Sequence, residues 1–381
     1  MYIKRQLDLA KLLKDKSYFL FGARGTGKSQ LIKKTLGNKA LIIDLLKSDY
    51  YLRLSARPSE LEQIIKAQKK KLIVIDEIQK IPLLLNEVHR LIEEDNYRFL
   101  LTGSSARRLK KENANMLSNR AWRAELFPLT SQEITITEND LLSLFQFGSI
   151  ASIYGSKKPT EEVDAYVASY LVEEIQAESW VRKLPQFNRF LRVAALANTE
   201  VLNFEKIASD AQIAPSTVRE YFYLLSDTLM GFMLEPWRAS KKRKAIASAK
   251  FYFFDLAIAH ALVGTKHIEP NSSLFGKCFE HFIILETKAA LSYQRRKDTL
   301  GFWRSTNQYE VDLTIGEDIA VEVKSSKSVN FRAAKNLRKL QEENVFKKFY
   351  LVSFDKIERV DEGISFIYYQ SYLDKLWANS L

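Results

Sequence analysis

Cysteine is almost absent from this chain of 381 residues, since Cys278 is its single example. One cysteine excludes an internal disulfide and is typical of a reducing compartment, so we expect a cytoplasmic protein. No apolar run is long enough to cross a bilayer, and charged residues from Lys4 to Lys14 interrupt the region where a secretory signal would need an apolar core. The sequence therefore excludes membrane-spanning and disulfide-rich secreted classes.

Glycine and proline are also scarce, at 13 and 8 residues, whereas apolar residues make up 46% of the chain. This composition indicates an ordered globular protein, and the length suggests two or three domains with sizeable cores. Basic residues outnumber acidic ones by 58 to 46, which gives a net charge of +12. Such a charge favours a polyanionic partner such as DNA, although a merely soluble basic protein has the same balance.

One of the few glycine clusters carries a phosphate-binding pattern. Residues 22–29 read G-x-x-x-x-G-K-S and lie between an apolar strand and a helical stretch. In this pattern backbone N–H groups cradle phosphates, the lysine reaches the outer phosphates and the serine ligates Mg²⁺. We therefore predict an ATP and Mg²⁺ site that contains Gly22, Arg24, Gly25, Thr26, Gly27, Lys28 and Ser29.

Strand-like and helix-like segments alternate around this loop. Strands are predicted at residues 18–21, 39–44, 72–76, 98–102 and 124–129, and a helix at residues 60–68. Alternation of this kind is typical of a parallel sheet covered by helices on both faces. The fold class predicted for the first domain is therefore α/β, with five parallel strands.

Two carboxylates, Asp76 and Glu77, end the strand at residues 72–76 and should lie beside the loop. We expect Asp76 to hold Mg²⁺ and Glu77 to orient the attacking water, although such a pair can also cap a helix. Thr102 and Ser104 end the following strand and are candidate contacts of the γ-phosphate. Candidates for a finger on a neighbour's nucleotide are Arg107, Arg108, Arg120 and Arg123.

The chain resembles the AAA+ ATPases, and in particular a bacterial and archaeal group that adds a winged helix and a PD-(D/E)xK nuclease-like domain. The resemblance lies in G-A-R-G-T-G-K-S, in I-D-E-I-Q-K ending at Lys80, in L-T-G-S-S ending at Ser105, and in Arg120 followed by F-P-L. It implies that Arg120 is the finger. Because such fingers act between subunits, it also implies a homo-oligomer, for which a ring is one form.

The middle of the chain contains a candidate helix-turn-helix. A short helix at residues 204–211 is followed by a turn and by a second helix that starts at Pro215 and buries Val218, Phe222, Leu225 and Leu229. Ser216, Thr217 and Arg219 then face outward, where they can enter a DNA groove. A basic run, Lys241, Lys242, Arg243 and Lys244, would touch phosphates as a wing, or would be a solvated turn.

A predicted hairpin near the carboxyl end carries a second set of charged residues. If Ile315 faces Ile319 across a short turn, Asp312 opposes Glu322 and Glu310 opposes Lys324. Like charges in direct opposition destabilise a sheet unless a cation lies between them. One interpretation is a divalent metal, with Lys324 positioning a water or a developing charge. The other is a hydrated acidic pair beside a Glu310–Lys324 ion pair, with no metal.

The spacing D-x9-E-x-K in this hairpin resembles the PD-(D/E)xK signature, and residues 276–282 resemble the helix of that group which bears a further acid. The resemblance implies a site for Mg²⁺ or Mn²⁺ formed by Glu280, Asp312 and Glu322, with Lys324 as a catalytic residue.

Three regions follow: an ATPase domain at 1–150, a helical region with a winged helix at 151–265, and an α/β restriction-endonuclease-like domain at 266–381. The first hypothesis is an ATPase that couples nucleotide state to DNA engagement and cuts DNA with a metal. The second keeps the ATPase but makes the last domain a non-cutting clamp for DNA ends or branches. The third is an ATP-dependent regulator of protein partners.

Overall fold

The structure, a computed structural model, describes residues 2–103, 117, 119–171, 184–239, 243 and 245–381. Several sequence-predicted residues lie outside these ranges: Ser104, Arg107, Arg108, Lys241, Lys242 and Lys244.

The first domain is a parallel sheet between helices. Its strands are β1 Ser17–Phe21, β2 Ala40–Asp44, β3 Leu72–Asp76, β4 Arg98–Gly103 and β5 Ala121–Glu125. Its helices are α1 Leu9–Leu12, α2 Lys28–Leu36, α3 Ser48–Ala56, α4 Glu60–Gln68 and α5 Leu84–Asp95. Among the described residues the strand order is β2-β3-β4-β1-β5 and every pairing is parallel, so the predicted five-stranded sheet is confirmed.

Strand β1 shows why this sheet needs helices on both sides. All five of its residues are buried. Phe19 and Phe21 pack in one hydrophobic core, whereas Tyr18 and Leu20 pack in another. Because successive side chains of a strand point to opposite faces, these two cores lie on the two faces of the sheet.

Strand β5 begins three residues earlier and ends four residues earlier than predicted. It pairs with β1 residue by residue, from Ser17 opposite Ala121 to Phe21 opposite Glu125. One further bond, from the Leu126 N–H to the Phe21 carbonyl at 2.7 Å, closes the ladder. The strand ends there because β1 passes into the phosphate-binding loop and leaves no partner. The apolar residues that suggested a longer strand belong to the connection that follows.

The middle of the chain consists mainly of helices in its described residues. Its helices are α6 Glu138–Phe147, α7 Pro159–Ala165, α8 Leu184–Leu196, α9 Phe204–Ala211, α10 Pro215–Asp227 and α11 Leu256–Val263. Helices α9 and α10 lie where the helix-turn-helix was predicted, and Val218, Phe222 and Leu225 are buried as expected. Leu229 differs from the prediction, because α10 ends at Asp227 and Leu229 has a φ of +60° in the turn that follows.

The remaining strands form one mixed sheet. They are β6 Gly231–Pro236, β7 Lys250–Phe253, β8 Leu300–Arg304, β9 Glu310–Ile315, β10 Ile319–Lys324, β11 Lys348–Ser353, β12 Arg359–Asp361 and β13 Ile364–Tyr368. Over the described ranges the strand order is β12-β13-β11-β10-β9-β8-β6-β7. The helices are α12 Ser273–Tyr293, α13 Lys335–Gln341 and α14 Tyr369–Trp377.

Strand β6 joins the middle region to the last one. It pairs antiparallel with β7 and parallel with β8. The β6–β7 hairpin therefore extends the sheet of the last region. The boundary predicted after residue 265 assigns this hairpin to the middle region instead. The three domain limits stay a prediction.

Within the described ranges, no helix combines the length and the apolar character that a bilayer crossing requires.

Candidate functional sites

The loop between β1 and α2 has the backbone that its glycines allow. Gly25 and Gly27 have φ values of +80° and +94°, a region that side chains disfavour. A Cβ on Gly22 would lie 2.6 Å from the Leu126 carbonyl oxygen, and one on Gly25 would lie 2.6 Å from the Ser152 hydroxyl. The predicted glycines therefore meet both a torsional and a steric requirement. Arg24 is exposed, and its carbonyl accepts a hydrogen bond of 3.0 Å from Tyr166.

Lys28 begins α2 and is buried over the loop. Its ammonium donates to the carbonyls of Gly22 at 2.6 Å and Ala23 at 3.3 Å. A phosphate group bound in the loop can replace these acceptors, and the amino end of α2 adds favourable N–H groups. This arrangement fits a nucleotide whose outer phosphates contact Lys28.

Asp76 links the loop to the carboxyl edge of the sheet. Ser29 donates to its Oδ2 at 2.9 Å, and the Thr102 hydroxyl donates to its Oδ1. The oxygens of Ser29 and Asp76 are ligands of the kind that Mg²⁺ prefers, so these two residues fit the predicted ion. Thr102, one candidate contact of the γ-phosphate, holds Asp76 here and accepts a bond of 3.2 Å from the Glu77 N–H; its contact with the phosphate stays a prediction.

Glu77 occupies a left-handed turn directly after β3, with a φ of +63°. Its carboxylate accepts a hydrogen bond from the Gln79 side chain, which is itself buried. Sequence reasoning missed Gln79. The available signal was its place two residues beyond the acidic pair, which a tight turn brings back toward Glu77.

Arg5 is a second residue that sequence reasoning missed. Its side chain is 3% exposed and its Nη1 donates to the Thr26 carbonyl at 2.5 Å. The same guanidinium contacts the Phe127 carbonyl at 2.7 Å, Glu133 at 2.9 Å and the Tyr293 hydroxyl at 3.4 Å. Because Tyr293 ends α12, Arg5 joins the nucleotide loop to a helix of the last region. No local pattern in the sequence indicates these partners.

Arg120 and the loop of its own chain lie at opposite ends of the parallel strands. It directly precedes β5, whose first residue is opposite Ser17, whereas the loop follows Phe21. Five strand residues separate these edges by roughly 16 Å. The Nε of Arg120 lies 2.5 Å from a Glu93 oxygen. The finger role on a neighbouring subunit stays a prediction.

The carboxyl-terminal hairpin has the predicted register. Ile315 is opposite Ile319, and Leu313 is opposite Val321. Val311, Leu313, Val321 and Val323 are all buried. Asp312 and Glu322 are buried as well, at 9% and 1% exposure, because α12 and α13 both contact this part of the sheet. The interpretation as a hydrated acidic pair therefore does not fit.

Lys250, at the start of β7, supplies a cation that the sequence analysis did not include. Its ammonium lies 3.0 Å from a Glu280 oxygen and 2.6 Å from a Glu310 oxygen, and its side chain is 3% exposed. Tyr252 donates to the same Glu280 oxygen at 2.6 Å. Glu310 also pairs with Arg304 at 3.1 Å, so the predicted ion pair of Glu310 with Lys324 is wrong.

Lys324 instead pairs with Glu322, its neighbour on the same face of β10. The Nζ of Lys324 lies 2.6 Å from Oε1 of Glu322, which also accepts from Asn336 at 3.3 Å. The other oxygen of Glu322 is buried, and it has no hydrogen-bond partner among the described residues. Asp312 accepts a hydrogen bond of 2.8 Å from the Val323 N–H.

Burial dominates the electrostatics of this acidic cluster. It raises the pKa of Glu280 to about 7, an effect that Lys250 partly offsets. Burial and the nearby Asp312 raise the pKa of Glu322 to about 8. Burial alone would lower the pKa of Lys250, but the neighbouring carboxylates of Glu280 and Glu310 outweigh it and raise that pKa well above its ordinary value.

The arrangement of the cluster gives no support to a divalent metal. In the described part of the chain, no three acidic, histidine or cysteine side chains are placed to hold a metal ion. The ammonium of Lys250 already provides a positive charge beside Glu280. The predicted ligation by Glu280, Asp312 and Glu322 therefore gains no support here, nor does a catalytic role of Lys324 with that metal.

The predicted DNA-contacting residues fall into two groups. Ser216 and Arg219 are exposed on the first turns of α10 and Thr217 is half-exposed, as expected. Arg243 is instead engaged by α13 and the residues just beyond it, because its guanidinium pairs with Glu342 and lies 3.4 Å from Glu343. These ion pairs compete with the predicted phosphate contact.

Residues 14–135 match the model of a protein family described as an AAA domain. With its parallel sheet and phosphate-binding loop, this part of the chain is an AAA-type domain. Residues 141–269 and 275–372 match two domains of unknown function, DUF8612 and DUF4143.

Similar proteins are found in bacteria and archaea. An uncharacterized protein of Mycobacterium tuberculosis is 26% identical over 265 residues, which cover 66% of this chain and 58% of the relative. The matched part thus spans less than two thirds of that relative. An uncharacterized protein of Methanocaldococcus jannaschii is 22% identical over 353 residues, which cover 82% of this chain and 75% of the relative.

Two solved structures show a coarse likeness. One is the replication initiator DnaA bound to AMPPCP and single-stranded DNA, with 11% identity, a TM-score of 0.31, and coverage of 59% of this chain and 90% of that chain. The other is Bacteroides Pif1 bound to single-stranded DNA, with 13% identity, a TM-score of 0.26, and coverage of 43% and 49%. These scores are too low to transfer any property to this protein.

Proposed function

We propose that this protein hydrolyses ATP at the loop of residues 22–29 and that the nucleotide state controls its hold on DNA. The contact of 2.9 Å between Ser29 and Asp76 carries the first part, because it brings a hydroxyl and a carboxylate together beside the loop. When bound, Mg²⁺ would neutralise phosphate charge. Lys28 would bind the outer phosphates. Glu77 would give up its hydrogen bond with Gln79 and would then orient the attacking water.

The proposed control of DNA binding depends on Arg5 and α12. Arg5 contacts the loop through Thr26 and the end of α12 through Tyr293. Glu286, near the middle of α12, accepts from the N–H and hydroxyl of Ser131 at 2.9 and 2.6 Å. A helix of 21 residues is roughly 30 Å long. A displacement of the loop on nucleotide binding would therefore reach the last region through one rigid element.

DNA is proposed as the partner because of the charge of the chain and the surface of α10. The net charge of +12 favours a polyanion, and Ser216 and Arg219 are exposed where the second helix of a helix-turn-helix enters a groove. A homo-oligomer is part of the proposal: Arg120 lies too far from the loop of its own chain, so as a finger it would act on the nucleotide of a neighbouring subunit.

For the last region, the second hypothesis is favoured over DNA cutting. Lys250 lies between Glu280 and Glu310 and partly neutralises the charge that would attract a divalent metal. We propose that this region holds DNA without cutting it. The first hypothesis predicts the opposite result: DNA cleavage in Mg²⁺ or Mn²⁺ that is lost in Asp312→Ala.

Calorimetric titration with ATP and Mg²⁺ tests the central proposal. The wild-type chain should bind ATP, and Lys28→Ala should abolish binding while Ser29→Ala weakens it. Steady-state turnover should then change when duplex, single-stranded or branched DNA is added. An absence of heat with folded wild-type protein would overturn the ATPase, whereas DNA-independent turnover would overturn the coupling. An ATPase with no salt-sensitive DNA binding would favour the regulator of protein partners.

A further inference from the structure

A cleft with both polar and apolar lining lies between the helix-turn-helix and the edge of the carboxyl-terminal sheet. Its volume is about 660 Å³. One wall comes from the start of α9 and from α10, and the other comes from the segment before β7 and from the turn between β8 and β9. The residues that carry its chemistry are Asn203, Phe204, Arg219, Ser248, Arg304 and Thr306.

The two walls offer complementary groups. On the helical wall, the Arg219 guanidinium lies 5.1 Å from the centre of the Phe204 ring. Planar guanidinium groups and aromatic rings both stack on unpaired bases. On the sheet wall, Arg304, Ser248 and Thr306 line the same cleft, and their guanidinium and hydroxyl groups can donate to phosphate oxygens. The cleft thus has a stacking surface facing a phosphate-binding surface.

The charges around the cleft define a path for a phosphate backbone. Arg304 and Lys250 share Glu310 as a partner, at 3.1 and 2.6 Å. Each of the two carboxylate oxygens of Glu310 is therefore paired with a cation. This pairing limits the repulsion between Glu310 and a phosphate. Glu205 also lines the cleft on the helical wall, so a backbone would run along the sheet wall, past Arg304 and Thr306.

We propose that this cleft binds an unpaired nucleic-acid strand, with one or two bases stacked at Arg219 and their phosphates at Arg304. The volume lies in the range of roughly 300–1,000 Å³ that encloses a small ligand, so a duplex cannot enter. This inference rests on the proposed function, because it assumes that DNA is the partner. It adds that the ligand is a strand end or a single-stranded segment.

A matched pair of substitutions at Thr306 tests the cleft. Thr306 is exposed, so Thr306→Glu adds a negative charge to the sheet wall without removing a buried contact, and Thr306→Gln is a neutral control of similar size. Fluorescence anisotropy would follow binding of an oligothymidylate of about 20 nucleotides and of a blunt duplex of similar length. We expect Thr306→Glu to weaken strand binding by about tenfold or more and to leave duplex binding unchanged.

Two further variants connect the effect to the arginines. Arg304→Ala should lower the slope of log affinity against log salt by about 0.7, as for the loss of one phosphate contact on a single strand. Arg219→Ala should weaken binding of the strand and also of the duplex, because Arg219 belongs as well to the surface of α10 that is proposed to enter a groove. Arg57→Ala, which removes an exposed arginine of the first domain, is the charge control and should leave strand affinity unchanged.

The possible results separate this inference from the proposed function. Equal strand binding by Thr306→Glu and Thr306→Gln would overturn the cleft, even if duplex binding is strong. Failure of the wild-type chain to bind any DNA would overturn both the cleft and the proposed DNA partner. The cleft would be supported if strand binding is reduced in Thr306→Glu, Arg304→Ala and Arg219→Ala but not in the control variants.

Discussion

The guanidinium of Arg5 donates a hydrogen bond of 2.5 Å to the carbonyl of Thr26, in the middle of the nucleotide loop. The same group pairs with Glu133, whose side chain is fully buried. A buried arginine with this many partners positions a backbone more rigidly than packing alone. Arg5 therefore contributes to the shape of the loop before any nucleotide binds.

Arg5→Met should destabilise the protein by about 3–5 kcal/mol, because it leaves the buried charge of Glu133 without its cationic partner. It should also weaken ATP binding, since Thr26 loses its support. Urea unfolding and calorimetric ATP titration measure the two effects. Arg5→Lys keeps the positive charge but loses the planar guanidinium group. Its stability and its ATP affinity should lie between those of wild type and Arg5→Met. Unchanged stability and ATP affinity in Arg5→Met would contradict this role.

Glu77→Gln should retain ATP binding and lose turnover by about 100-fold or more, because an amide cannot polarise the attacking water as a carboxylate does. Single-turnover hydrolysis and nucleotide release would separate chemistry from binding. Glu60→Gln, on the surface of α4, is a matched control with normal turnover expected. Wild-type turnover in Glu77→Gln would remove this residue from catalysis.

Lys250→Met should cost about 3–5 kcal/mol of stability near pH 7, because Glu280 and Glu310 lose their shared buried cation. In this variant Mn²⁺ should raise the unfolding midpoint by binding in place of the ammonium, whereas wild type should not respond. Thermal unfolding with and without Mn²⁺ measures both. Lys327→Met, at an exposed position, is the control. Stabilisation of wild type by Mn²⁺, together with DNA cleavage, would restore the metal site.

Glu286 should make stability depend on pH. Burial raises its pKa from 4.5 to about 6, although hydrogen bonds from Ser131 and Trp377 act against the shift. The folded state holds this proton more tightly than the unfolded chain, so protonation is stabilising at low pH. That stabilisation is lost as pH rises from about 4.5 to about 6, and it amounts to about 2 kcal/mol.

Glu286→Gln should remove this dependence, because an amide does not titrate. Urea unfolding of wild type and variant at about pH 4 and about pH 7 gives the difference, and the variant should gain about 2 kcal/mol relative to wild type at the higher pH. Other titrating groups cancel in the comparison. Parallel pH profiles for the two proteins would show that Glu286 is not the source.

Local patterns accounted for much of the fold and of the nucleotide site. The spacing of Gly22, Gly27 and Lys28, and the apolar strand before Asp76, each depend on a few consecutive residues. Backbone torsions and side-chain alternation act over that same range, so the loop, the sheet strands and the register of the β9–β10 hairpin could be predicted. The end of β5 could not, because it depends on where β1 stops pairing.

Only the tertiary structure decided which charges meet. Arg5 contacts Tyr293 across 288 residues, and Lys250 reaches Glu280 across 30 residues. A sequence pattern shows which side chains can carry a charge. It does not show which of these side chains become buried next to each other when the chain packs. Burial then sets their pKa and their need for a partner. For this reason the sequence by itself determined the nucleotide loop, and the packed structure decided that a lysine lies within the acidic cluster.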